Sequence, residues 1–309
     1  MKKNPVLFFL VVLMFSGCGH SIRILNEANN PAKAAEMAKD KALRDEADPK
    51  TGVTALMAAI IAGKTQLVKI LVEAGADVNR QDNKGRTALM FAVGKKNMEA
   101  VDAILKKKPD FNKFTEDGAG VLWAAADSGD PALAEKLIKA GARVNGKNKY
   151  GETALFQAVT AADSKMAKLF IDKGASVPVR SGDDITPLMK AAQAGAAETI
   201  ELLIKKGVAV NDRDKAGRTA LMWACLANKT DNIKLLVEKG ADPGIQAMDS
   251  MTPLMAAVKA KNIMAVGYIA AKKKNINAKG PKGLTALAMA RQAQLKDIAE
   301  LIEKAGGKE

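Results

Sequence analysis

The chain has 309 residues, a formal net charge of +14 at pH 7 and an aromatic content of 4%. With one histidine, His20, and two cysteines, it offers neither a Ser-His-Asp or Cys-His triad nor a cysteine-rich metal site. The basic balance favours anionic partners; the alternative is a lysine-rich surface that serves only solubility.

The N-terminus has the features of an export signal. Lys2 and Lys3 precede an unbroken apolar run over residues 6–15, which suits the core of a signal peptide and is too short to span a bilayer. Small residues then lead to Cys18, and this arrangement resembles the lipobox of bacterial lipoproteins. The resemblance implies that residues 1–17 are removed and that Cys18 is lipidated. The alternative is an ordinary secretory signal with a chance cysteine.

Residues 18–30 are predicted to form a polar tether. In the lipoproteins that this N-terminus resembles, aspartate directly after the cysteine favours retention at the inner membrane. Position 19 is glycine, so the resemblance implies a bacterial cell-envelope protein on the outer membrane, facing the periplasm. The pattern from Pro31 to Arg44 predicts a helix, and residues 31–48 are interpreted as a degenerate N-terminal capping helix, because end repeats are often atypical.

From residue 49 onward the sequence repeats with a fixed period of 33 residues. Thr54-Ala55-Leu56 is the marker tripeptide of the first unit. Equivalent tripeptides begin, without insertion or deletion, at Thr87, Gly120, Thr153, Thr186, Thr219, Thr252 and Thr285. Such a period over eight units indicates an array in which neighbours stack, because no unit can bury its own core.

Each unit is predicted to form two short helices and a turn. The marker threonine can cap the first helix, and a glycine such as Gly75 follows the second helix, where a left-handed residue ends a helix at little cost. Two departures predict local irregularity. Gly120 removes the cap of the third repeat, and Lys108 and Lys273 replace the terminating glycine of repeats two and seven.

The period, the Thr-Ala/Pro-Leu tripeptide and the closing sequence from Gly75 to Asn79 resemble ankyrin repeats. The resemblance covers about residues 49–306, most of the chain, and implies an ankyrin repeat domain over residues 49–309. The resemblance implies an all-α fold, an ankyrin-repeat solenoid of helix–turn–helix units joined by hairpin-like turns. The family usually has histidine directly after the tripeptide. This chain has instead Met57, Met90, Trp123, Phe156, Met189, Met222, Met255 and Ala288. Apolar packing is therefore predicted to replace the usual polar tie.

Ankyrin-repeat proteins usually bind partners through the turn tips and the exposed side of the first helices, so the resemblance implies a binding surface there. Basic and apolar residues share those positions. The predicted partner contacts are Arg86, Lys95, Phe114, Tyr150, Arg180, Ile185, Arg213, Lys215, Arg218, Leu226, Met251 and Lys259. Phe91 and Trp223 are interpreted as core. Cys225 is interpreted as a small buried hydrophobe rather than a reactive thiol.

Together these features predict a protein without enzymatic activity, cofactor or metal. We expect a monomeric, lipid-anchored extracytoplasmic scaffold that binds an acidic protein, in one version as an inhibitor or immunity protein. The alternative is a binder of anionic membrane or cell-wall polymer through the basic face, which would lose binding steeply with salt. The lack of a catalytic cluster disfavours an enzyme and a small-molecule substrate, and export from the cytoplasm disfavours nucleic acid.

Overall fold

The computed structural model describes residues 23–309 in two compact units, of which the first extends to Lys149 and the second spans Tyr150–Glu309. Within these residues the regular elements are helices, and strand pairing is limited to isolated β-bridges. The predicted signal peptide and Cys18 lie outside the described residues. Between residues 23 and 309, no helix has the length and apolar character needed to cross a membrane.

The first unit contains an N-terminal segment and repeats one to three. The segment has a 3₁₀ helix (Arg23–Glu27), α1 (Pro31–Lys39) and α2 (Lys41–Arg44). The repeats are the helix pairs α3 (Ala55–Ile61) and α4 (Thr65–Glu73), α5 (Ala88–Gly94) and α6 (Met98–Leu105), and α7 (Val121–Ser128) and α8 (Pro131–Lys139). Successive first helices pack on one another, and α4 packs on α6.

The second unit contains repeats four to eight. Its helix pairs are α9 (Ala154–Thr160) and α10 (Ser164–Asp172), α11 (Pro187–Ala194) and α12 (Ala197–Lys205), α13 (Ala220–Leu226) and α14 (Thr230–Glu238), α15 (Pro253–Lys259) and α16 (Ile263–Ala270), and α17 (Ala286–Gln292) and α18 (Lys296–Lys304). A 3₁₀ helix (Pro281–Gly283) precedes α17. The predicted all-α repeat fold is confirmed.

The N-terminal segment differs from its prediction in two respects. The helix predicted from Pro31 to Arg44 is broken at Asp40, whose extended backbone begins α2 and whose carboxylate accepts from the N–H of Ala42 at 2.8 Å. Residues 23–27, predicted as tether, form a 3₁₀ helix that packs on α1 and α3 with Ile24 fully buried. The packed chain therefore begins before residue 31, because burying Ile24 ties this turn to the first repeat.

The marker threonines cap their helices as predicted in six repeats. Their hydroxyls accept from the N–H three residues later at 3.2–3.5 Å. Gly120 leaves α7 without a side-chain cap, as predicted. Thr153 departs from the rule, because its buried hydroxyl has no hydrogen-bond partner within residues 23–309 and α9 is uncapped.

The residue at the Gly75 position, just after the second helix, has a left-handed backbone in all eight repeats. Gly75 has a φ of 90°, and Lys108 and Lys273, which stand at the equivalent position, have φ values of 50° and 54°. The irregularity predicted after repeat two is therefore wrong for the backbone. After repeat seven it is confirmed, because Asn275 is also left-handed, with a φ of 48°, and the equivalent residues of the other repeats are not. Stacking of the neighbouring repeats outweighs the cost of a left-handed lysine, which is about 1 kcal/mol.

Apolar side chains after the marker tripeptide fill the core between the helix pairs. Six of them are at most 1% exposed, namely Met57, Met90, Phe156, Met189, Met222 and Met255. The apolar packing predicted to replace a polar tie is confirmed at these positions. Trp123 and Ala288, at the other two positions, are only half-buried.

The third repeat should open more readily than its neighbour in the first unit. We expect backbone amides over residues 120–128 to exchange faster than those over residues 87–95, because α5 has its threonine cap and α7 does not. Such a cap contributes about 1 kcal/mol. Hydrogen–deuterium exchange with mass spectrometry measures the difference. Slower exchange in α7 than in α5 would show that the missing cap does not govern local stability.

Candidate protein-binding surface

Backbone hydrogen bonds join the tips of successive turns within each unit. In the first unit the N–H of Glu116 donates to the carbonyl of Lys84 at 3.0 Å, and in the second the N–H of Lys215 donates to the carbonyl of Asp183 at 3.0 Å. These bonds fix the tips relative to their neighbours. Side chains carried on them are therefore preorganised, which lowers the entropic cost of binding.

Side chains six residues before the markers form a second series of bonds between turns. In the second unit Arg180 donates to the carbonyl of Arg213 at 3.2 Å, Arg213 donates to the carbonyl of Gln246, and Gln246 donates to that of Lys279 at 3.1 Å. Gln81 bridges to the next repeat in the first unit at 2.8 Å. Each donor lies 33 residues from its acceptor, so the same side-chain-to-backbone hydrogen bond is made between equivalent positions of successive repeats.

This bonding changes the role of two predicted contacts. Arg180 also forms an ion pair with Asp212 at 2.7 Å, and Arg213 also donates to the carbonyl of Gly217 at 3.1 Å. Both arginines are exposed, but their guanidinium groups are held by the chain itself. We therefore assign them to the alignment of the turns.

Arg86 is a further correction, because it was predicted to be an exposed contact and is 8% exposed. Its guanidinium donates to the carboxylate of Asp82 through Nε at 2.8 Å and lies 2.6 Å from it through a terminal nitrogen. The same guanidinium lies 4.5 Å from the centre of the Phe91 ring. Arg86 is buried because it neutralises an almost fully buried carboxylate, and it is not available to a partner.

The second unit repeats this cluster around Trp223. Asp214 accepts from Nε of Arg218 at 2.8 Å and from the indole N–H of Trp223 at 3.0 Å. The Arg218 guanidinium lies 4.8 Å, and the Lys190 ammonium 5.6 Å, from a ring centre of Trp223. In contrast to Arg86, the Arg218 side chain remains 38% exposed. Two cations thus flank an aromatic face, a favourable cation–π arrangement.

The interpretation of Phe91 and Trp223 as core residues is wrong, since both are half-buried on the first-helix surface. Asp82, Asp214 and Lys190 were not predicted to belong to this surface. A signal was available, because aspartate, arginine and an aromatic residue recur with the same internal spacing in repeats two and six. Spacing alone does not say that the aspartate is buried, which is what draws in the arginine.

The other predicted contacts divide by exposure. Tyr150 and Leu226 are 55% and 39% exposed, and Lys215 and Lys259 are exposed. Lys95, Phe114, Ile185 and Met251 are half-buried. The Phe114 ring covers Gly120, where an added Cβ would lie 3.4 Å from it.

The second unit therefore presents one mixed surface, which we call the α13 patch: Lys190, Arg218, Trp223, Leu226 and Lys259. Trp223 and Leu226 lie on consecutive turns of α13, and α13 packs between α11, which carries Lys190, and α15, which carries Lys259. An aromatic and an aliphatic side chain lie among cations. This combination suits a desolvated contact with a charged rim.

The described residues show no other chemistry at this surface. Cys225 is fully buried on α13, and burial raises the pKa of its thiol, which agrees with its interpretation as a small hydrophobe. Within residues 23–309 no three His, Cys, Asp or Glu side chains are placed to hold a metal ion.

Comparison with protein families explains the repeat. The family model described as "Ankyrin repeats (3 copies)" matches residues 23–115 and 161–247, and that described as "Ankyrin repeats (many copies)" matches residues 121–171. The first of these alone covers more than half of the chain. The protein belongs to the ankyrin repeat family, and its repeats indicate a protein–protein interaction scaffold.

Solved structures show the same fold. The crystal structure of the human ASB11 ankyrin repeat domain aligns with a TM-score of 0.66 and 24% sequence identity, over 72% of this chain and 100% of that one. At this identity the likeness shows the fold alone. None of the curated proteins in the comparison matches the chain.

Proposed function

We propose that the protein binds an acidic protein partner through the α13 patch. The observation that carries this proposal is the half-exposed Trp223 ring flanked by Arg218 and Lys190, with Leu226 exposed on the next turn. Aromatic residues and arginine contribute disproportionately to binding energy at protein interfaces. Lys190 and Lys259 have no ion pair within the described residues, so they can attract carboxylates on the partner.

We also propose that this scaffold is lipid-anchored through Cys18 in the cell envelope, on the outer membrane facing the periplasm. The support is the sequence over residues 2–18, where a basic start and an apolar run lead to a cysteine. One version of the function is an inhibitor or immunity protein that covers an acidic surface of its partner. In that version the α13 patch blocks the partner rather than recruiting it.

Leu226→Asp and Lys259→Glu should each reduce partner recovery after in-cell crosslinking at least tenfold. The first change places a carboxylate at the desolvated centre, and the second repels an acidic partner. Met98→Asp is the matched control, because Met98 is 38% exposed on α6, close to the 39% of Leu226. Circular dichroism confirms folding. Equal recovery from all three variants would exclude the α13 patch as the binding site.

Arg218→Glu is not a clean test of the α13 patch, because it would leave the carboxylate of Asp214 without its cation.

Cys18→Ser should release the protein from membranes. Stable anchoring requires two or more acyl chains, each buried CH₂ contributing about 0.8 kcal/mol. Membrane fractionation and incorporation of a labelled fatty acid measure the effect, and Cys225→Ser is the control because that thiol is buried. Unchanged fractionation of Cys18→Ser, or no label in the parent protein, would exclude the anchor.

A further inference from the structure

The exposed face of α16 differs from the equivalent face of every other second helix. In the repeat frame this face consists of Ile263, Met264, Gly267, Tyr268 and Ala271, and none of these residues is charged. At the same positions each of the other seven repeats has at least two charged residues. A charged outer face is what a solvated repeat requires, so its loss at one helix needs a separate explanation.

The apolar side chains of this face are open to solvent. Met264 is 62% exposed and Ile263 is 42% exposed. Tyr268 is half-buried one turn further along, with the ammonium of Lys272 4.8 Å from the centre of its ring. Helix α16 packs between α14 and α18, and their half-buried Leu235 and Leu301 occupy the same position of the repeat as Tyr268. The apolar face thus continues to both sides.

The charges at the two ends of α16 are all positive, whereas the helices beside it carry both signs, with Asp231 and Glu238 on α14 and Asp297 and Glu300 on α18. Residues 250–296 contain nine lysine and arginine residues and no aspartate or glutamate. Arg291 is paired with Glu303 and Glu309. The eight lysines of this range form no ion pair within the described part of the chain. Lys261 lies just before α16, and Lys272, Lys273 and Lys274 follow it, so unpaired cations bound the apolar face at both ends.

We infer that the outer face of α16 lies against an anionic lipid surface. Ile263 and Met264 would enter the boundary between headgroups and acyl chains, and Tyr268 has the amphipathic ring that is enriched at this depth. The lysines would bind the phosphates of the headgroups, because basic residues gain free energy close to an anionic membrane. We call Ile263, Met264, Tyr268 and Lys272–Lys274 the α16 contact.

The charges favour an anionic lipid surface over a second copy of the chain as the partner of the α16 contact. A two-fold symmetric contact along α16 would bring Lys261 and Lys272–Lys274 of one copy towards the same lysines of the other. The carboxylates of α14 and α18 that could relieve this repulsion stand beside lysines of their own, namely Lys234, Lys296 and Lys304. The α16 contact lies on a second helix, whereas the α13 patch lies on first helices. It therefore goes beyond the proposed function, because a partner and a membrane could be held at the same time.

Site-directed fluorescence tests the α16 contact in the full-length chain. Met264→Cys carries an environment-sensitive dye, and Glu198→Cys is the matched control at the same position of repeat five, exposed on α12. Both are made with Cys18→Ser, so that buried Cys225 is the only other thiol. Vesicles of phosphatidylcholine alone, or mixed equally with phosphatidylglycerol, contain a lipid-borne quencher. We expect severalfold stronger quenching at position 264 than at 198 in the anionic vesicles.

A charge variant completes the test. Replacing Lys272, Lys273 and Lys274 by glutamine should lower quenching at position 264 to the level at position 198, and circular dichroism confirms that the fold is retained. Equal quenching at positions 264 and 198 would overturn the inference. So would a dye response at position 264 that depends on protein concentration and needs no vesicles, since that result would identify a second copy as the occupant.

Discussion

Leu236→Ala should lower the free energy of unfolding by about 2–5 kcal/mol. Leu236 is fully buried on α14, so the truncation leaves a cavity that the surrounding repeats fill only in part. Leu71→Ala on α4 should behave alike in the first unit, since Leu71 is also fully buried. Stability is thus distributed along the array, because each repeat contacts only its neighbours.

Denaturant unfolding measures this loss, and hydrogen exchange in repeat six locates it, since repeat arrays do not always unfold as one cooperative unit. Leu226→Ala is the matched control. That leucine lies in the same repeat and is 39% exposed, so we expect a loss of about 1 kcal/mol or less. Similar losses for Leu226 and Leu236 would show that burial does not set the cost.

Asp214→Ala should lower the free energy of unfolding by about 3 kcal/mol, because it removes a buried carboxylate that accepts hydrogen bonds from backbone and side-chain donors. One carboxylate oxygen of Asp214 accepts from the backbone N–H groups of Ala216 and Arg218 at 2.9 and 2.8 Å. The other oxygen accepts from the Arg218 side chain and from the indole of Trp223. Without this carboxylate the turn, the arginine and the indole lose their common acceptor, and the α13 patch loses its geometry.

Thermal unfolding measures the loss of stability, and Trp223 fluorescence in a Trp123→Phe background measures the change in the geometry of the α13 patch. Asp212→Ala is the control two residues away, because Asp212 is 32% exposed and pairs with the 39% exposed Arg180. An exposed pair contributes about 1 kcal/mol or less. If Asp212→Ala costs as much as Asp214→Ala, the buried carboxylate does not organise the patch.

The corrections at the arginines share one physical cause. From their positions in the repeat, Arg86, Arg180, Arg213 and Arg218 were predicted to lie on the partner-binding surface. Position alone does not show which groups their guanidinium groups bind. Two of them meet an aspartate that the fold buries, and two reach a carbonyl in the next turn. A buried carboxylate and an unpaired carbonyl both require a donor, and arginine supplies one before any partner does.

The amino-acid sequence by itself determined the all-α fold, the eight repeats, six of the seven threonine caps and the buried methionines, because each depends on contacts within a repeat or with the equivalent positions of the next one. The break at Asp40, the burial of Ile24 and the left-handed Lys108 were decided by packing in the tertiary structure. So was the difference between Arg86 and Arg218, which occupy the same position of the repeat and yet are 8% exposed in one case and half-buried in the other. The position of a residue within the repeat fixes where its side chain leaves the backbone. Its exposure depends on the surrounding residues of neighbouring repeats, and those differ from repeat to repeat.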